Sequence, residues 1–584
     1  MNVFRNTFRL KKTILGSAIL SFLVVGSASA QEPGATDPLF RYQWHLLNTG
    51  QKVIADSLPV AGVDINVDKL HRDNIRGKGI LVAVVDDGLE INHEDLSANV
   101  RPGSSKNFYD NSTDPTPQNG NDYHGTAVGG IIAAVGWNNK GVRGVAPEAQ
   151  IGGFNFLSQD GDTRYKNQNS NIFYAWGDGI ESRNTHIFNN SWGGDYRFYP
   201  AVSVAETTSW ERLTNATRNG KGGIYVKSAG NSFDSFFTMT IYGIDDICRQ
   251  VTKDTRVSCA SANADPFNNY INVITVGAVN AQGVRSSYSS AGPAIWVAGF
   301  GGEYGNQSKY ASLNGVNSGG PAIVTTDLSG CSVGGNSDRQ NGRIYNDLDT
   351  SNSKIDASCN YLANMNGTSA AAPTVSGVAA LILQANPALT ARDVKYILAT
   401  TARKVDPNYA PITYQGNIIE EAWITNKAGH PFSNWYGFGL VNAEAAVAKA
   451  KTFTSLSAIK DSGWLSSKDS AQPIRSSANP AALKVNVDSD AKVENVQVSF
   501  NTSHNMPRNL RVTLTSPSGT ESTLMTPLST LQPVSSGTGF TVPLTSSNAF
   551  LDEQAGGIWT LKVSEINGNS TELLKNFKIR VVGH

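Results

Sequence analysis

Three short motifs, in one chain order, carry the residue types that make a weak nucleophile react: Val84-Val85-Asp86-Asp87-Gly88, Tyr123-His124-Gly125-Thr126 and Gly367-Thr368-Ser369-Ala370-Ala371-Ala372-Pro373. A serine hydroxyl at neutral pH needs a base within hydrogen-bond reach. His124 is the expected base, and Asp86 would hold its imidazole in the correct tautomer and stabilise its cation. Gly125 would let the chain turn tightly beside the ring. Taken singly, each residue has a plainer explanation: Asp86 ends a strand in a turn, His124 is one of eight histidines, and Ser369 or Thr368 caps a helix. The three contexts together outweigh those explanations and predict acyl-enzyme chemistry at Ser369. An oxyanion then needs donors. Backbone N–H groups at the start of the Ser369 helix supply some. Asn231 in Ser228-Ala229-Gly230-Asn231, after an apolar strand and between the His and Ser motifs, supplies a side-chain amide.

The elements that would position these groups follow from hydropathy. Ile80 to Val85 is continuously apolar and rich in β-branched residues, the pattern of a parallel strand buried on both faces. Similar runs recur at 151–156, 186–189, 223–227 and 273–276, with helical stretches between them, such as 126–134 and 201–217. Alternation of this kind predicts an α/β domain with catalytic groups at the carboxyl ends of strands. Residues 374–384, 391–401 and 443–451 read as further helices. After Lys451 the texture changes to a Ser-, Asp- and Pro-rich stretch at 455–480, a linker or irregular wrap. Short alternating runs follow at 483–487, 496–500, 510–514, 559–563 and 577–581, an all-β sandwich or jelly roll.

Bulk properties narrow the function. A chain of 584 residues exceeds one ordinary core, so at least two domains are expected. Zero formal charge and a charged fraction of 16% speak against nucleic acid or an anionic membrane as partner. Arg5, Arg9, Lys11 and Lys12, an apolar run from Ile14 to Val25 and Ala28-Ser29-Ala30 read as a signal peptide cleaved near Ala30, so the mature chain is expected to be secreted, with no membrane span. Four cysteines permit three pairings. Cys248–Cys259 and Cys331–Cys359 are expected, each closing a polar loop.

With these motifs in place, the chain resembles the subtilase superfamily, and within it the kexin/furin branch of proprotein convertases. Asp37-Pro38-Leu39-Phe40, Gln43-Trp44-His45-Leu46, Asp86-Asp87-Gly88-Leu89-Glu90, Asp122-Tyr123-His124-Gly125-Thr126 and Tyr436-Gly437-Phe438-Gly439-Leu440 carry the likeness. Leu514 to Thr520 and Gly557 to Leu561 resemble the P (Homo B) domain. The resemblance implies a subtilisin-like, doubly wound, mostly parallel α/β sheet over 31–452, then a linker and P domain over 453–584.

It also implies cleavage of protein or peptide substrates after basic residues. Asp265 would lie at the base of S1, Ser191, Trp192 and Gly193 would form its wall, and Asp87 and Asp122 would line S2. A structural Ca²⁺ is implied on Asp37 and Asp95, with Val135, Asn139, Val142 and Gly144 as further ligands. An S1-associated calcium site is expected to be lost, because Tyr196, Ala260 and Ser290 stand where its carboxylates belong. A weaker third site would use Asp110 and Asp114. Between Ala30 and Asp37 there is no room for a pro-domain, so a separate folding chaperone is expected. The mature protein is expected to be a monomer. The alternatives are a broad-specificity subtilase and a secreted pseudoenzyme or adhesin.

Overall fold

The computed structural model describes residues 37–158, 168–194, 196, 198–235, 244–314, 319–335, 344–350, 352–529, 539–568 and 570–584. The expected signal peptide and its cleavage site lie outside the described residues.

Seven parallel strands form the central sheet: β1 (Leu81–Asp86), β2 (Lys106–Asn107), β3 (Gln150–Asn155), β4 (Ile187–Asn190), β5 (Ile224–Ser228), β6 (Val273–Val279) and β7 (Ile295–Phe300). Their spatial order is β2-β3-β1-β4-β5-β6-β7. The chain therefore builds outward on one side of β1 and then crosses to the other. The carboxyl end of β1 is the switch point, where open α/β sheets form their crevice. Asp86 is the last residue of β1.

Period-2 alternation divides the strand side chains between two cores. Val82, Val84, Ile187, Val226 and Val276 pack in one core with Ala370, Val375 and Val378 of the Thr368–Ala385 helix. Ala83, Val85, Phe188 and Tyr225 pack on the other face with Trp176 and Trp210. The Thr368–Ala385 helix is apolar enough to cross a membrane, with a mean hydropathy of 1.3, but 89% of it is buried inside the protein. It is a core helix.

The C-terminal region forms two antiparallel sheets packed face to face, one built on 493–502, 540–547 and 573–583, the other on 481–487, 510–515, 521–525 and 557–565. The expected linker is not free: 460–461, 465–466 and 472–473 each pair with the 573–583 strand. Buried amides join the two regions. Asn548 Nδ2 donates to the Ala294 carbonyl at 2.7 Å, and Gln497 Nε2 to that of Asn269 at 2.9 Å. Both expected disulfides are present, Cys248–Cys259 and Cys331–Cys359.

Candidate active site

His124 opens the His124–Ala133 helix, and its Nδ1 donates to Asp86 Oδ1 at 2.8 Å. That bond leaves Nε2 as the basic nitrogen. Gly125 is needed for close packing rather than for a turn: a Cβ there would lie 1.9 Å from the Gly88 carbonyl oxygen.

Ser369 is the second residue of the Thr368–Ala385 helix. Its Oγ donates to the Ser191 carbonyl at 2.9 Å, while Ser191 Oγ donates to the Ser369 carbonyl at 2.8 Å. Pro373 explains the second bond. Proline has no N–H, so the carbonyl four residues earlier loses its helical donor. Ser191 replaces that donor and fastens the expected S1 wall to the candidate nucleophile.

Asn231 Oδ1 accepts from the Thr368 N–H at 2.8 Å and from Thr368 Oγ1 at 2.9 Å. With its oxygen engaged, the amide presents Nδ2 as the donor, next to the helix start. Gly367 holds this junction at φ +94°, and a Cβ there would come within 3.0 Å of that Nδ2. The arrangement offers a base, a hydroxyl and a fixed amide donor at the carboxyl end of the sheet.

Comparison with known proteins agrees with that geometry. Residues 77–439 match the subtilase family. The chain belongs to that family. Residues 493–581 match the proprotein convertase P-domain. The Aeromonas extracellular serine protease of Aeromonas sobria is 36% identical over 95% of this chain and 89% of its own. Furin-1 of Xenopus laevis is 30% identical over 92% of this chain and 57% of its own. The solved complex of the Aeromonas sobria serine protease with the chaperone ORF2 aligns at a TM-score of 0.82 with 33% identity, over 94% of this chain and 95% of that one.

The electrostatics of this subtilase centre on His124. Burial lowers its pKa, but the Asp86 and Asp87 carboxylates outweigh burial and push it up to about 9. Burial and the neighbouring Asp86 push Asp87 up to about 7. Asp87 accepts the backbone N–H groups of His124 at 3.2 Å and Gly125 at 2.7 Å, so it caps the helix that carries the base. Asp122 is buried at 2% exposure and accepts from Ser158 Oγ at 2.8 Å. Both acids expected at S2 are turned to the protein's own donors.

Asp265, the acid expected at S1, is likewise engaged within the protein. Its Oδ1 accepts from the Phe267 N–H at 3.0 Å, and its Oδ2 pairs with the Lys227 ammonium at 2.8 Å. The expected S1 acid already has an internal cation. Trp192 Nε1 donates to the Val85 carbonyl at 2.8 Å, tying the expected wall to β1. Gly193 passes close over Asp265, where a Cβ would lie 2.8 Å from Oδ2.

The carboxylates expected to hold calcium are engaged by the protein's own donors. Asp37 Oδ1 accepts from the Asn138 N–H, and Oδ2 from the Trp137 N–H and from Arg143. Asp95 Oδ1 accepts from Asn138 Nδ2 at 2.6 Å and Oδ2 from the Val142 N–H at 2.9 Å. Val142 therefore turns its N–H, not its carbonyl, toward Asp95. The Val135 and Gly144 N–H groups bond to the Asp95 and Ala134 carbonyls, and Asn139 is exposed. Asp110 and Asp114 each accept a backbone N–H two residues on, the pattern of a turn.

Sequence reasoning missed Lys227 and Arg143. Each is a charged residue inside an apolar run, Ile224-Tyr225-Val226-Lys227 and Val142-Arg143-Gly144-Val145. A charge in such a run needs a buried partner, and that was the available signal.

Proposed function

We propose that this chain is a secreted serine endopeptidase in which Ser369 attacks the peptide carbonyl, His124 moves the proton, Asp86 orients and stabilises the imidazole, and Asn231 with the helix-start N–H groups stabilises the oxyanion. The observation that carries the reading is the Asp86–His124 bond at the switch point of the sheet, together with a helix that begins at Thr368, carries Ser369 in its first turn and fixes Asn231 through Thr368. Intact residues in all four roles speak against the pseudoenzyme or adhesin reading. A fluorophosphonate probe should label Ser369 in the native protein, and Ser369→Ala and His124→Ala should abolish peptide cleavage without unfolding. Cleavage near the wild-type rate in either variant would overturn the proposal.

Secretion is supported by the basic, apolar and small-residue pattern of residues 1–30 and by a relative named as an extracellular protease. We assign the catalytic domain to 31–452 and the linker and P domain to 453–584, acting as a monomer. A relative whose solved structure is a complex with a chaperone supports a separate folding partner. Refolding of the purified denatured chain alone to full activity would exclude that partner. Our proposal places no calcium at Asp37 and Asp95, since all four oxygens are engaged. Of the two substrate readings, cleavage after basic residues and broad specificity, the Lys227–Asp265 pair favours the second.

A further inference from the structure

We infer that Lys227 determines specificity: its ammonium supplies the positive charge that Asp265 would otherwise take from a substrate, so that S1 selects an uncharged P1 side chain. The inference rests on the endopeptidase reading above.

Lys227 lies on β5, a strand with every residue buried, and its side chain is 2% exposed. Its only carboxylate partner among the described residues is Asp265, at 2.8 Å with 6% exposure. The Lys227 Nζ also donates to the Trp192 carbonyl at 2.8 Å and lies 5.2 Å from the centre of that indole ring. Asp265 is held in turn by the Phe267 N–H and by the Gly194 N–H at 3.3 Å.

The pair sits beside the reacting serine. Ser191 exchanges two hydrogen bonds with Ser369, Trp192 gives its carbonyl to Lys227, and a Cβ on Gly193 would fall 2.8 Å from Asp265 Oδ2 and 3.0 Å from Lys227 Nζ. Ser228 follows Lys227 on the strand, and its Oγ donates to the same Trp192 carbonyl at 3.1 Å.

A carboxylate in a narrow pocket selects Arg or Lys when its charge is unmatched, because a desolvated pair then forms only with the basic substrate. Here that pair is intramolecular. A guanidinium entering S1 would meet an ammonium, and like charges in a low-dielectric site repel. An uncharged side chain meets no such penalty.

The test is cleavage of internally quenched peptides that differ only at P1, as Leu, Gln, Lys or Arg, with active sites counted by the fluorophosphonate label. For the wild type, kcat/KM for Leu or Gln should exceed that for Arg and Lys by roughly tenfold, about 1.4 kcal/mol. Lys227→Gln should raise the Arg-to-Leu ratio by about tenfold or more. The double variant Lys227→Gln with Asp265→Asn, which removes both charges, should keep the wild-type ranking. A wild-type profile led by Arg or Lys would overturn the inference, and that measurement decides even if the single variant fails to fold. So would a labelled Lys227→Gln enzyme with an unchanged Arg-to-Leu ratio. Absence of both labelling and cleavage in the wild type would instead refute the endopeptidase reading, and the inference with it.

Discussion

Arg143 donates to one oxygen of Asp37 from both Nε and Nη2, at 2.8 and 2.5 Å, and the two side chains are 2% and 0% exposed. The guanidinium also lies 3.9 Å from the Trp137 ring centre and 4.2 Å from that of Phe40. Breaking a buried ion pair by removing one partner leaves the other charge uncompensated. Arg143 supplies the compensating charge for Asp37 from the loop where the calcium ligands were expected.

Stability should therefore not depend on calcium at this junction. EDTA should leave the thermal unfolding midpoint unchanged, whereas Arg143→Ala should destabilise by roughly 3–5 kcal/mol, because it leaves Asp37 buried and unpaired. Stoichiometric calcium binding that is lost in Asp95→Ala would refute this account.

The pH profile should be alkaline. In the proposed mechanism the base is neutral His124, whose pKa is pushed up to about 9. The rising limb of kcat/KM should therefore lie above the usual histidine range near 6.5. Asp87→Asn removes one of the two carboxylates that favour the imidazolium, so the limb should move to lower pH. For stability the sign is the reverse. A raised histidine pKa contributes stability fully below the unfolded value and loses it as pH rises through about 9. Stopped-assay rates and unfolding midpoints across pH check both statements.

Asp87 should also act as a helix cap. Asp87→Ala frees the N–H groups of His124 and Gly125 and should cost about 0.5–2 kcal/mol in chemical denaturation. Asp87→Asn retains an acceptor and should cost less.

At the oxyanion site, Asn231→Ala should lower kcat by about 10²–10³ with little change in KM. Asn231→Asp keeps the oxygen that accepts from Thr368 but removes the donor, so its kcat should fall at least as far. Single-turnover kinetics on one peptide measure both.

The P-domain interface should contribute to stability through its buried amides. Asn548→Ala leaves the Ala294 carbonyl unpaired and should destabilise by about 1–3 kcal/mol. Asn263, two residues before Asp265, donates to Thr545 Oγ1 at 2.9 Å across the same interface. Asn263→Ala should therefore also alter cleavage, read as a change in KM across a P1 series.

Local pattern carried much of this protein. The apolar run before Asp86 specified a doubly buried strand, because only a parallel sheet covers both faces. The order of the Asp, His, Asn and Ser motifs specified the candidate centre, because each sits where a strand ends or a helix begins. The 391–401 and 443–451 helices were legible to the residue. The Ser369 helix begins at Thr368, nearly two turns before its apolar run at 374–384, and Ser191 supplies the donor that Pro373 lacks.

Tertiary structure decided the charges. A carboxylate reads the same in sequence whether it meets a metal, a substrate or the protein itself. Asp37, Asp87, Asp122 and Asp265 each find a partner in the protein, and two of those partners, Arg143 and Lys227, lie 106 and 38 residues away along the chain. Hydropathy and spacing describe neighbours along a chain. Pairing of buried charges is set by which strands and loops pack together, and only the folded chain fixes that.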